Sequence, residues 1–164
     1  MTKKQWAITL YLLAVAMTLG GVLVLGILVA PVIFHSSDIL PVALMGRYEE
    51  GFLMGEIFRR FAYWAYFMGT VILVFEALEY RHRRRDKWAG MSALLSIATL
   101  LMFAAVYVPK ILAAQAEGPA ATMSDAFASL HAASELDFKI LALSLAVLFV
   151  RRMQLMFLPA PRKI

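Results

Sequence analysis

Four ionisable side chains, His131, Glu135, Asp137 and Lys139, fall close together inside the last long apolar stretch of the chain. A charge at the centre of a membrane-spanning helix costs roughly 2.5–3.5 kcal/mol on insertion scales, so such groups face a partner, water or a ligand rather than lipid. His131, Glu135 and Lys139 follow i, i+4, i+8 and form one helical stripe, with Ser134 beside it. Asp137 lies two residues from Glu135, about 200° further round the helix. Both sides of this half-helix are therefore polar. That pattern predicts a surrounded helix, central in a bundle or at an oligomer or partner interface.

The residue types suggest binding chemistry more than catalysis, and no catalytic residue is assigned. The expected solute- or ion-binding set is His131, Ser134, Glu135, Asp137 and Lys139, joined by Glu56, Arg59 and Arg60 from a second apolar block. Glu135 before Lys139 is the favourable order for a helix ion pair, which would also serve packing alone. His131 and Glu135 at i, i+4 supply two metal ligands, with Glu49, Glu50, Glu56 or His35 as further donors. The repeated Glu-x-x-His pattern of a di-iron bundle is missing. His131 is also a haem-ligand candidate, without a histidine in the first block to pair with it. Asp137 has no basic residue at i±3 or i±4, so its partner is expected from Arg59, Arg60 or Lys110. Glu56, Arg60, Tyr63 and Phe67 form a stripe expected to face the fourth block. Glu76 and Glu79 are expected to pair with the basic run at 81–85.

These side chains need long helices to hold them. Of 164 residues, 62% are hydrophobic, and the mean hydropathy is +0.76. A soluble domain is roughly 45–50% apolar. The excess lies in four blocks, each at or beyond the roughly 20 residues that cross the hydrocarbon. The expected fold is all-α: one integral-membrane four-helix bundle over 1–164, with spans at about 5–34, 52–80, 88–115 and 126–150. Continuous apolarity excludes barrel strands, which alternate. The absence of cysteine excludes disulfides and thiolate metal sites. The first apolar run lacks the short core and small-residue cleavage pattern of a signal peptide, and is expected to remain as a span.

The net charge of +5 is not read as a nucleic-acid signal, because it sits in the flanks of spans. Lys3 and Lys4, the basic run at 81–85 with Lys87, and Arg151, Arg152, Arg162 and Lys163 all fall on one side of a four-span chain. The positive-inside rule makes that side cytoplasmic, with both termini. The other two loops hold Asp38, Glu49, Glu50, Glu117 and Asp125 against Arg47. A multi-pass protein of a bacterial inner membrane is expected. Gly20, Gly21 and Gly26 mark close helix packing in the first span. Pro31 and Pro109 mark kinks or helix ends near the outer ends of spans one and three.

Three segments carry a family resemblance: Gly-Ile-Leu-Val-Ala-Pro-Val-Ile-Phe at 26–34, Met-Gly-Glu-Ile-Phe-Arg-Arg-Phe at 54–61, and Phe-Ala-Ser-Leu-His-Ala-Ala-Ser at 127–134. Together they resemble the bacterial branch of the transmembrane-protein-205-like family. The resemblance implies a four-span helical membrane protein and singles out Pro31, Phe34, Gly55, Phe58, His131 and Ser134. In the eukaryotic branch a role in handling metals and metal-containing drugs has been associated with it. This chain departs from the looser pattern at Glu135 and Asp137, which suggests a specialised subgroup.

The leading expectation is a non-enzymatic bundle in the lipid bilayer that binds or conducts a small polar solute or cation at its outer polar cluster, as a homo-oligomer. One rival is a structural or accessory subunit of a larger membrane complex. The other is a haem-binding membrane oxidoreductase resembling the HemJ-type protoporphyrinogen oxidases. No particular cofactor is named by the residues. The orientation is testable with reporter fusions. A phosphatase active only outside the cytoplasm is expected to work when fused after Glu117, and a cytoplasm-dependent fluorescent protein when fused at the carboxyl terminus. The reverse pattern would overturn the assignment.

Overall fold

Every regular element is helical among the residues that the computed structural model describes, 2–40, 45–81 and 86–157. Four helices are long and apolar enough to cross a membrane: span 1 (Gln5–Phe34), span 2 (Arg47–Arg81), span 3 (Lys87–Glu117) and span 4 (Asp125–Phe157). Spans 2 and 4 run several residues past their expected limits. Arg47 to Gly51 are mostly polar, and Arg151, Arg152 and Gln154 interrupt the apolar run beyond Val150, yet the helix hydrogen bonds continue there without needing hydrocarbon. The basic residues 82–85, Arg162 and Lys163 lie outside the described residues.

The spans pack up and down in cyclic order, each against the next and span 1 against span 4. Thr2 and Phe157, the first and last described residues, lie at one end, the terminal end; the opposite is the loop end. Only 22% to 44% of each span's most apolar window is buried within the bundle. The remainder, including Leu10, Ile27, Leu94 and Leu143, is exposed and suits a lipid surround.

Local chemistry fixes the helix ends. Thr2 accepts from the Gln5 N–H at 3.3 Å while its own N–H donates to Gln5 Oε1 at 2.7 Å, a reciprocal cap. Asp86 caps span 3 by accepting from the Ala89 N–H at 2.9 Å. Gly118, at φ 111°, ends span 3 in a conformation that side chains avoid.

Neither Pro31 nor Pro109 ends its helix. Each is preceded by a wider π-helical turn, Val24–Val29 in span 1 and Phe103–Tyr107 in span 3, after which the α-helix resumes. A proline supplies no N–H and crowds the carbonyl four residues back; the π register relieves that crowding without a break.

Buried polar side chains tie the bundle together at several depths. The Trp64 indole donates to Thr18 Oγ1 at 3.0 Å, joining spans 1 and 2. Ser96 donates to Ser144 Oγ at 2.8 Å, joining spans 3 and 4. At the loop end, the Tyr48 hydroxyl donates to the Gln115 carbonyl at 2.6 Å, and Gln115 Nε2 donates to the Gly51 carbonyl at 2.7 Å.

That last contact makes Gly55 necessary. A Cβ there would stand 2.5 Å from Gln115 Oε1 and 3.1 Å from Leu112 Cδ2, and the Gln115 amide is held in place by Gly51. Gly55→Ala is therefore expected to lower stability in detergent by about 1–3 kcal/mol, the usual range for overpacking. Adding Gln115→Ala should recover part of the loss in thermal unfolding; no loss in the single variant would contradict the packing.

Candidate functional site

Span 4 presents one face inward through Ser134, Asp137, Leu141, Ser144, Leu145, Leu148 and Arg152. Steps of three and four residues keep these side chains on one stripe. Four of the seven are polar or charged, an unusual content for the interior of an apolar helix. The face divides the residues singled out by the sequence into two groups.

Asp137 and Ser134 point into the bundle, at 8% and 7% exposure. Ser134 donates to the His131 carbonyl at 2.7 Å. Asp137 Oδ2 is buried and has no hydrogen-bond partner among the described residues. The three expected partners are not there for that oxygen, and Arg59 and Arg60 are engaged by Glu56 at 2.7 and 2.8 Å. Beside Asp137, Phe138 joins an aromatic layer with Phe58, Phe61 and Phe103, at centroid distances of 5.1 to 5.9 Å. Spans 2, 3 and 4 meet in this layer, and a Cβ on Gly26 of span 1 would sit 3.9 Å from the Phe138 ring.

Glu135 and Lys139 point the other way. Lys139 Nζ lies 3.3 Å from Glu135 Oε2, with side-chain exposures of 74% and 54%. His131 Nε2 lies 3.5 Å from Glu135 Oε1. The imidazole is flanked by Phe127, nearly parallel, and Phe34, edge-on. The stripe expected to face span 4 from span 2 also faces outward: Tyr63 is 65% exposed and Phe67 55%. Helix phase is the reason, because Phe58, Phe61, Ala62 and Ala65 occupy the inward side. The cluster legible as one in sequence is thus an inward pair on span 4 and two outward charged patches.

No three His, Cys, Asp or Glu side chains come together among the described residues as a metal-binding group. Glu50, one of the further donors considered, is buried and accepts from Ser36 Oγ at 2.6 Å, with Arg47 at 4.0 Å.

The strongest polar constellation lies at the terminal end and was not anticipated. Arg152 of span 4 reaches the carboxylate of Glu76 in span 2 through Nε at 2.8 Å and again through Nη2, and its Nη1 is 3.6 Å from Glu79. The Tyr11 hydroxyl of span 1 donates to the same Glu76 oxygen at 3.0 Å. The Tyr11 ring stacks on Phe75 at 3.7 Å, and the guanidinium lies 5.7 Å from that ring's centre. Glu76 thus takes Arg152, a partner that sequence proximity did not indicate; the expected pairing with the basic run falls on residues 82–85, which lie outside the described residues. Extending the inward stripe of span 4 from Asp137 to residue 152 would have found it.

Next to this cluster Arg151 grips Asp86 with two hydrogen bonds, at 2.9 and 2.6 Å, pinning the start of span 3 to span 4. The Arg151 guanidinium, helped by the Ala89 N–H, holds the Asp86 carboxyl down from 3.8 to about 2.

All this describes a polytopic helical membrane protein. Over residues 13–120 the chain matches the family described as a domain of unknown function, DUF4149, and it belongs to that family. No curated protein and no solved structure matches it. The matched region covers most of span 1 and all of spans 2 and 3 and stops before the charged span 4, so Asp137 and Arg152 fall outside it.

A depressed carboxyl pKa contributes stability at pH values above its ordinary one and loses it as pH falls toward the folded value. The Asp86 contribution should thus be complete above about pH 5 and fade between pH 4 and pH 2. Asp86→Asn is expected to unfold at lower temperature at pH 6 and to show a shallower acid-side decline than the parent. Identical pH profiles would contradict the pairing.

Proposed function

We propose that this chain is a multi-pass bacterial inner-membrane protein that binds a small monovalent cation in its loop-end half, with Asp137 as the anionic ligand. The observation that carries the reading is the unpartnered Asp137 Oδ2, buried on the inward face of span 4. A buried carboxylate normally has a cation or donors beside it, because leaving the charge unpaired costs several kcal/mol. Here the nearby aromatic layer offers none, and an ion would fill the need. Ser134, one turn away, adds a hydroxyl oxygen on the same face.

His131, Glu135 and Lys139 are then outside the site. Their exposure on a helix with a lipid-compatible surface favours a second reading for them, as the face that meets another subunit of a homo-oligomer or complex. The distribution of Lys and Arg supports a cytoplasmic terminal end.

The test is Na+, K+ and Li+ binding to the purified protein in lipid nanodiscs by calorimetry. Asp137→Asn is expected to abolish binding of the preferred ion, while Glu135→Gln leaves it within about twofold, since Glu135 is outside the bundle. Binding that survives Asp137→Asn, or no binding in the parent, would overturn the reading.

A further inference from the structure

The two outward charged patches stand on spans 2 and 4, which run in the same direction and are unbroken α-helices. The hydrogen bond between Arg152 and Glu76 ties the two spans together at one level. The rise is uniform along each helix, so positions counted back from that bond compare heights. Glu135 stands 17 positions before Arg152, and Arg59 stands 17 before Glu76. Lys139 and Tyr63 each stand 13 before, and Leu143 and Phe67 each stand 9 before. His131, at 21, matches Glu56, at 20. The heights agree across the bundle as well. Phe138, 14 before Arg152, has its ring 5.9 Å from that of Phe61, 15 before Glu76.

Steps of four residues keep His131, Glu135, Lys139 and Leu143 on one stripe of span 4. The same steps keep Arg59, Tyr63 and Phe67 on one stripe of span 2. Glu135, Lys139, Leu143, Arg59, Tyr63 and Phe67 are all exposed. Lys139 and Tyr63 lie about 20 Å above the Arg152–Glu76 bond. That height is inside a hydrocarbon layer roughly 30 Å thick, where a charge facing lipid is costly.

A second copy in the same bilayer has the same orientation, so equal heights meet. The two stripes are then complementary at each level. The Glu135 carboxylate meets the Arg59 guanidinium, which shares its one carboxylate, Glu56, with Arg60. His131 meets Glu56. The Lys139 ammonium meets the Tyr63 ring and hydroxyl. Leu143 meets Phe67 and closes the contact with apolar side chains.

We propose that the chain assembles with a second copy of itself, span 4 of one against span 2 of the next. The contact is head-to-tail, since its two faces belong to different spans. The inference rests on the reading of the His131, Glu135 and Lys139 face as a subunit interface and names the surface that meets it. Asp137 takes no part.

The chain has no cysteine, so introduced thiols report without background. Leu143→Cys and Phe67→Cys leave every charge in place. Differently tagged copies carrying one substitution each are co-expressed and treated in membranes with a short bis-thiol reagent. Mixed-tag dimers are expected from the combination and not from either variant alone. Adding Glu135→Gln to the Leu143→Cys copy should lower the yield about tenfold or more, the scale of one lost interfacial ion pair. Dimers formed by Leu143→Cys copies alone would overturn the span 2 partner and leave the subunit-interface reading standing. A native complex with a different protein, and no crosslink, would do the same. A native mass of one chain, with no crosslink in any arrangement, would overturn both.

Discussion

Inside hydrocarbon a polar group has only the protein to answer it, and each unanswered one costs several kcal/mol. The rest of this structure follows from how that demand is met at one end of the bundle. At the terminal end the described charged groups meet it with one another: Arg152 is enclosed by Glu76 and Glu79, Tyr11 completes Glu76, and Arg151 and Asp86 pair. Spans 1, 2 and 4 meet in the first set, and spans 3 and 4 in the second. The low-dielectric surround strengthens these pairs and also makes the loss of any one partner severe. This end has the properties of a fixed joint.

The loop-end half is built differently. Asp137 Oδ2 and Gln115 Oε1 are buried with no hydrogen-bond partner among the described residues. Two π turns alter the register of spans 1 and 3 ahead of Pro31 and Pro109. Unsatisfied groups, altered helix register and tight glycine packing are all concentrated there, around the aromatic layer of Phe58, Phe61, Phe103 and Phe138. A protein that tolerated such costs at random would scatter them along the spans. Their concentration opposite the terminal-end joint is the feature on which the proposed binding reading rests.

The four spans, their helical nature and the polar content of the first half of span 4 were legible from hydropathy and charge. The inside-out division of that half was not. His131, Glu135 and Lys139 made the more visible stripe, because their spacing is regular, yet the apolar residues Leu141, Leu145 and Leu148 set the inward face and carry Asp137 with them. Following those leucines would also have led to Arg152. The π turns were hidden for another reason: proline marks a strained carbonyl, but whether the helix ends, kinks or widens depends on the neighbours that hold it. Gln115 looked like an ordinary polar residue near a helix end. Its role emerges only beside Gly51 and Gly55, some sixty positions away in the chain.

The central claim is that Asp137 is an interior carboxylate whose missing partner is a cation. Infrared difference spectroscopy on the reconstituted protein, with Na+ exchanged for a large organic cation, reads that group directly. The expected result is a carboxyl-band change upon Na+ addition that disappears in Asp137→Asn and persists in Glu135→Gln. A spectrum without such a change, or one that survives in Asp137→Asn, would contradict the account.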